Sequence, residues 1–204
     1  MTKAILFDFD GVLTLDETGS QSICKYISRI TKIDRAIFEK EYRKYNADLL
    51  TGKLKHEDVW GKICSAIGQD IDIKILYDSF INTPINLGML ELVQKLKDND
   101  YKIAMVTDNK SDRIHSIVDY HEWDNLLDGI VVSAEVGSGK DQEDIFHKTF
   151  QILRVKPEEC VFIDNKKENL VIPNNLGVIA LFFDYEKNDV MKLANRLIEI
   201  GIEI

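Results

Sequence analysis

The sequence predicts an α/β fold: a doubly wound, mostly parallel sheet with an all-helical insert after its first strand. Three observations carry this. Short apolar runs alternate with amphipathic stretches of helical period along most of the chain. The apolar runs lack strict alternation, as strands covered on both faces do. About 90 residues separate the first run from the second, where a single crossover needs about 30.

The expected strands are residues 4–9, 102–107, 129–133, 160–164 and 178–183, rich in Ile, Val, Leu and Phe. Between them, 88–98 places Met89, Leu92, Val93 and Leu96 on one stripe, and 111–120, 143–154 and 189–200 show similar spacing. Within the insert, 21–30, 34–46, 56–67 and 73–80 read as helices. Thr51-Gly52-Lys53 and Gly68-Gln69-Asp70 punctuate them. The expected division is a core of 1–16 and 85–204 and a helical insert of 17–84, with Trp60 and Tyr45 in the insert's own core.

Composition narrows the function. The 204 residues carry 26 Lys+Arg against 35 Asp+Glu, a net charge of −9. That field disfavours nucleic acid, and the densest basic step, Lys166-Lys167, has acids on both sides at Asp164 and Glu168. Cys24, Cys64 and Cys160 are scattered without CxxC spacing, as reduced thiols of a cytoplasmic protein are. No apolar stretch reaches the ~18 residues of a membrane span. His56, His115, His121 and His147 are dispersed, which argues against zinc and for surface or packing roles.

In open α/β sheets ligands bind beyond the carboxyl ends of the strands. The first strand ends Phe7-Asp8-Phe9-Asp10-Gly11. Two carboxylates ~5 Å apart repel by roughly 3 kcal/mol at an effective dielectric near 20, a cost that a cation removes, and Gly11 permits a sharp turn beneath an anion. The second strand ends Thr107-Asp108-Asn109, where Thr107 is placed either to contact a phosphate or to cap a helix. Lys140 follows Gly137-Ser138-Gly139. This is not a P-loop, because Ala134 stands at the first glycine and Asp141 follows the lysine. The fourth strand ends Ile163-Asp164-Asn165.

An acid pair, a threonine, a lysine and a further acid, in that order, resemble the four motifs of the haloacid dehalogenase-like hydrolase superfamily. LFDFDGVLT at 6–14 is the most specific, and the insert resembles a type 1 helical cap. The resemblance implies a Rossmann-like core of five or slightly more strands. It implies a Mg2+-dependent phosphatase for a small phosphorylated metabolite, nearest to those acting on sugar phosphates. Asp8 is the implied nucleophile and Asp10 the implied acid and base. Thr107, Asp108, Asn109 and Lys140 are expected to hold the phosphoryl group. Asp8, the Asp10 carbonyl and Asp164 are expected to hold the metal, with Asn165 and Glu168 behind them and Lys53 reaching substrate from the insert. Two departures stand out: Asn165 replaces a usual acid, and Asp141 replaces a usual proline and is placed to pair with Lys140.

Asp10 must carry a proton when substrate arrives, which the charge of Asp8 and partial desolvation favour. An acid two residues after the nucleophile suits phosphoryl transfer rather than halide expulsion, which needs no proton. The alternatives are a phosphomutase and a non-catalytic ligand-binding relative. A monomer or homodimer is expected, without nucleic-acid or membrane partners.

Overall fold

The structure, a computed structural model, describes residues 1–204. Its five strands are β1 (Ala4–Phe7), β2 (Lys102–Thr107), β3 (Gly129–Val132), β4 (Cys160–Asp164) and β5 (Ile179–Phe182). All pair in parallel, in the order β3-β2-β1-β4-β5. The central strand β1 is wholly apolar, and all four of its residues are fully buried. Ile5 and Phe7 join Ile103, Met105, Val161 and Ile163 on one face. Ala4 and Leu6 join Ala104, Val106 and Phe162 on the other. Two buried faces explain why these strands read as unbroken apolar runs.

Eleven helices surround the sheet. Five lie in the insert: α1 (Gly19–Thr31), α2 (Arg35–Arg43), α3 (Asn46–Leu50), α4 (His56–Ile67) and α5 (Ile73–Ile81). Of the others, α6 (Leu87–Asp98) and α7 (Ser111–His121) pack on the Ile5 face. The short α8 (Ser133–Val136) precedes α9 (Asp144–Leu153), which with α10 (Val171–Leu176) covers the Leu6 face. The last helix, α11 (Val190–Glu199), returns to the first face. Several helix starts are set by side chains that satisfy free N–H groups. Thr18 accepts from Gln21 N, Asp34 from Ala36 N and Ile37 N, and Asn86 from Met89 N.

Two expectations are corrected in detail. The first strand stops at Phe7, because Asp8 Oδ1 accepts the Phe9 N–H at 2.7 Å and Gly11 adopts φ 77°. The chain therefore turns beneath the sheet edge. The helix expected over 34–46 breaks after Arg43, and the chain restarts at Asn46.

The chain leaves β1 for the insert and returns from it along adjacent paths. Thr14 pairs with Ile85 in an antiparallel bridge, Leu15 N donates to Pro84 O at 2.9 Å, and Asn86 N donates to Leu13 O at 2.9 Å. Inside the insert, Phe38 stacks on Tyr42 and meets Trp60 edge-on. Trp60 Nε1 donates to Ile71 O at 2.8 Å, and Tyr45 packs against the same apolar cluster. That cluster runs without a break from the insert to the Ile5 face of the sheet.

Phe162 is fully buried on β4, with Phe146 edge-on at 5.4 Å. Phe162→Ala is expected to cost about 3–5 kcal/mol, read as a lower urea midpoint at an unchanged slope.

Candidate active site

Parallel strands finish at one edge, so β1, β2 and β4 deliver Asp8, Thr107 and Asp164 to the same place. Lys140 arrives from the loop between α8 and α9. Its backbone N–H is anchored on Asp108 Oδ1 at 2.9 Å. Its side chain is buried over the Phe162 ring. The ammonium lies 2.8 Å from Asp8 Oδ1 and 2.6 Å from Asp164 Oδ2. Asp141, expected to pair with Lys140, is instead exposed, and the lysine's ion pairs are with Asp8 and Asp164.

Burial pushes the Asp8 carboxyl up to about 7; Lys140 works against this, and Asp164 and Asp10 work with it. Burial opposes the Lys140 charge, yet Asp8, Asp164 and Asp108 hold that ammonium above its ordinary range. Burial likewise raises Asp108, against the pull of Lys140. Asp8 Oδ1 takes both the Phe9 N–H and Lys140, which leaves Oδ2 without a protein donor.

Asp10 has different company from that expected. Its nearest charge is the guanidinium of Arg113, with Nη1 to Oδ2 and Nη2 to Oδ1 both at 2.9 Å. Asn109 Nδ2 donates to Asp10 Oδ2 at 2.7 Å, and Asn109 Oδ1 accepts from Arg113 Nη1 and Lys110 N. Asn109, expected on the phosphoryl group, therefore uses its side chain to hold Asp10 and Arg113. Neither Thr107 nor Asn109 caps α7, which begins at Ser111 with Lys110 before it.

Around Asp164 the expected neighbour is also replaced. Glu168 is exposed and makes no bond to the site, because the short turn after Lys166 carries it outward. Asn169 Nδ2 takes its place, 3.1 and 3.0 Å from the two carboxylate oxygens, while Lys166 N donates to Oδ1 at 2.7 Å. Asn165 is buried with neither amide atom partnered. It lies so close to Gly11 that a Cβ there would come within 2.1 Å of Asn165 Nδ2.

Asp8, Asp10, Thr107, Asp108, Lys140 and Asn169 line a cavity of about 190 Å³ closed from above by Thr18, Ser20, Asn46 and Leu50 of the insert, while Asp164, Asn109 and Arg113 stand behind its wall. Leu50 is its one hydrophobic lining side chain. Lys53 is exposed and does not line it. Lys110, buried within the wall, donates to Ser20 Oγ at 3.2 Å, and burial lowers its ammonium to about 8. The insert is held against the sheet by Ser133, whose Oγ donates to Leu50 O at 2.7 Å and accepts from Asn109 N at 3.0 Å. Fully buried His56 lies between Tyr42 Oη and Asp112 Oδ2, each at 2.7 Å, and so also ties the two parts together. Gly52, at φ 70°, sits where a Cβ would meet Ala134 O at 1.9 Å.

The sequence reading assigns no role to Arg113, Lys110 or Asn169, and takes His56 only as a surface or packing residue, of which it is the buried, packing kind. Arg113 had a readable signal. It shares the buried stripe of α7 with Ile114, Ile117 and Val118, and a charge on an apolar stripe needs a buried partner.

A family model described as haloacid dehalogenase-like hydrolase matches residues 2–170. The chain belongs to the haloacid dehalogenase-like hydrolases. Sesquiterpene phosphatase astK of Aspergillus oryzae is 25% identical over 183 residues, covering 88% of each chain. The bifunctional riboflavin kinase/FMN phosphatase of Arabidopsis thaliana is 32% identical over 197 residues, 89% of this chain and 48% of that one. Among solved structures, HAD family enzyme bt-2542 of Bacteroides thetaiotaomicron superposes with a TM-score of 0.72 at 17% identity, covering 94% of this chain and 98% of that one. That likeness shows the shared fold. Within the family, the chain is a hydrolase of the phosphatase kind.

A carboxyl raised by folding binds its proton more tightly in the native state. Stability therefore falls as pH rises from the ordinary value, 3.8, through about 7. In metal-free buffer, Asp8→Asn is expected to raise Tm at about pH 8 and to lose that advantage toward about pH 4.5. Thermal melts read this directly, each kcal/mol being worth about 2–4 °C in a chain of this size.

Proposed function

We propose that this protein is a Mg2+-dependent phosphatase that hydrolyses a small, hydroxylated phosphate monoester, a sugar phosphate being the class best suited, through an aspartyl-phosphate on Asp8. The observation that carries the reading is the meeting of Asp8, Asp164 and Lys140 within ion-pair distance at one end of the sheet. The residues of 17–84 act as its cap.

The residues fit a magnesium ion. No three His, Cys, Asp or Glu side chains form a cage by themselves. Mg2+ needs none, since it keeps several waters and takes one or two carboxylates with substrate oxygens. Asp8, Asp164 and the Asp10 carbonyl would supply hard oxygens, and the unpartnered Asn165 amide is available to a metal-bound water. Asp8 and Asp164 share the single cation Lys140, which leaves one negative charge between them. Bound there, the ion supplies charge neutralisation for the phosphoryl oxygens.

The chain's own residues do the rest. Asp8 Oδ2, without a protein donor, attacks phosphorus as the bond to the leaving oxygen breaks. Asp10 gives that oxygen a proton and then takes one from the water that cleaves the aspartyl-phosphate. Thr107 and Lys140 hold phosphoryl oxygens, and the insert keeps bulk water out. The small cavity and its single apolar lining residue favour a small, polar leaving group.

A panel of phosphate monoesters, assayed with and without Mg2+, is expected to show free phosphate released only with the metal. Asp8→Asn is expected to lower kcat by about 10³-fold or more. Interconversion of sugar-phosphate isomers without phosphate release would instead establish a mutase. Full activity in Asp8→Asn would remove the assigned nucleophile.

A further inference from the structure

The largest fully buried side chain in the protein is Arg113, and the reaction as described gives it no task. It is held from several sides, though its Nε has no partner. Phe9 lies beneath its guanidinium at 5.2 Å. Nη2 also donates to Thr83 Oγ1 at 3.2 Å, on the returning path from the insert. Gly19, the first residue of α1, leaves no room above it, since a Cβ there would stand 2.4 Å from Nη1. A buried charge so enclosed has one rotamer available to it, and its planar fork fixes the plane of whatever carboxylate it meets.

That carboxylate is Asp10. A carboxylate has about four lone-pair sites. Arg113 fills one on each oxygen, and Asn109 fills the second on Oδ2. The remaining site is on Oδ1, and Asp10 lines the cavity. We infer that Arg113 is a positioning residue that fixes Asp10 so that a single site, on Oδ1, carries the proton given to the leaving oxygen and, once emptied, accepts one from the attacking water. This rests on the phosphatase reading above and goes beyond it, because Arg113 touches neither substrate nor metal in that scheme. Its contacts with Thr83 and the space left by Gly19 also make the fit depend on the insert being seated.

The two half-reactions separate a positioning role from a merely structural one. An aryl phosphate expels a phenolate that needs no proton, so Asp8 can form its bond to phosphorus without Asp10. Breaking the Asp8–phosphorus bond with water still requires a base. An alkyl phosphate needs Asp10 in both steps.

In Arg113→Met, release of p-nitrophenolate from p-nitrophenyl phosphate is expected to show a burst near one equivalent per site, followed by slow turnover. Intact mass after acid quench should show the phosphorylated chain accumulating above its wild-type level. Turnover of an alkyl phosphate is expected to fall about 10²-fold or more, with Arg113→Lys recovering part of it. Gly19→Ala serves as the second variant. It keeps every polar side chain of the site, suits a helix start, and presses on the Arg113–Asp10 pair from outside, its Cβ falling 2.4 Å from Nη1 and 3.0 Å from Asp10 Oδ2. It should shift the balance between the two steps the same way, even if Arg113→Met does not fold.

Equal losses for aryl and alkyl substrates, with no burst and no added phosphorylated chain, would show that Arg113 only supports the fold. Wild-type partitioning in Gly19→Ala and Arg113→Lys would likewise overturn the inference. Both results leave the phosphatase reading standing, whereas wild-type activity that survives Asp8→Asn would overturn that reading first.

Discussion

Between Asp8 and Asp164 the ammonium of Lys140 lies within hydrogen-bond distance of both, sealed over an aromatic ring. Everything else at this end of the molecule follows from needing it there. Two desolvated acids at the tips of neighbouring strands repel strongly. The protein answers with a lysine carried on a loop from elsewhere and anchored by its own backbone to Asp108. Without that cation the parallel sheet could still form, since its pairing is independent of the tips. The acids could not then stay buried and ionised together.

A second ion pair stands beside the first. Arg113 holds Asp10 as Lys140 holds Asp8 and Asp164, but the geometry differs. The lysine presents a compact charge that a ligand can share, while the arginine presents a fork that sets an orientation. The site thus divides its acids into one group gathered on a compact cation and one held by a planar fork. Ser133 and Asn109 connect this division to the insert, through Leu50 on one side and Asp10 on the other.

The sheet was legible because its strands are buried on both faces and therefore spell out unbroken apolar runs. The same burial made the acids conspicuous: Asp8 and Asp164 each end such a run, and chemistry at a strand tip has few innocent explanations. Helical spacing showed the insert but not how it seats, because seating depends on single contacts such as Gly52 against Ala134. The fates of Asn109, Glu168 and Asp141 were beyond reach for a related reason. Which way a side chain turns just after a strand depends on backbone dihedrals over two or three residues. Sequence spacing alone placed Glu168 near Asp164, where the short turn after Lys166 brings Asn169 instead. Arg113 could have been noticed, since it is the one charge on an apolar stripe, but its partner lies about a hundred positions away.

The bridge between Thr14 and Ile85 has a wider consequence. Some seventy residues depart and come back through a gate two strands wide, so the polypeptide on either side meets almost end to end. Such a junction confines the covalent connection between the two parts to one place. It is also a place where one lineage could exchange the whole excursion for a longer, shorter or differently shaped one, leaving the strand pairing of the sheet untouched.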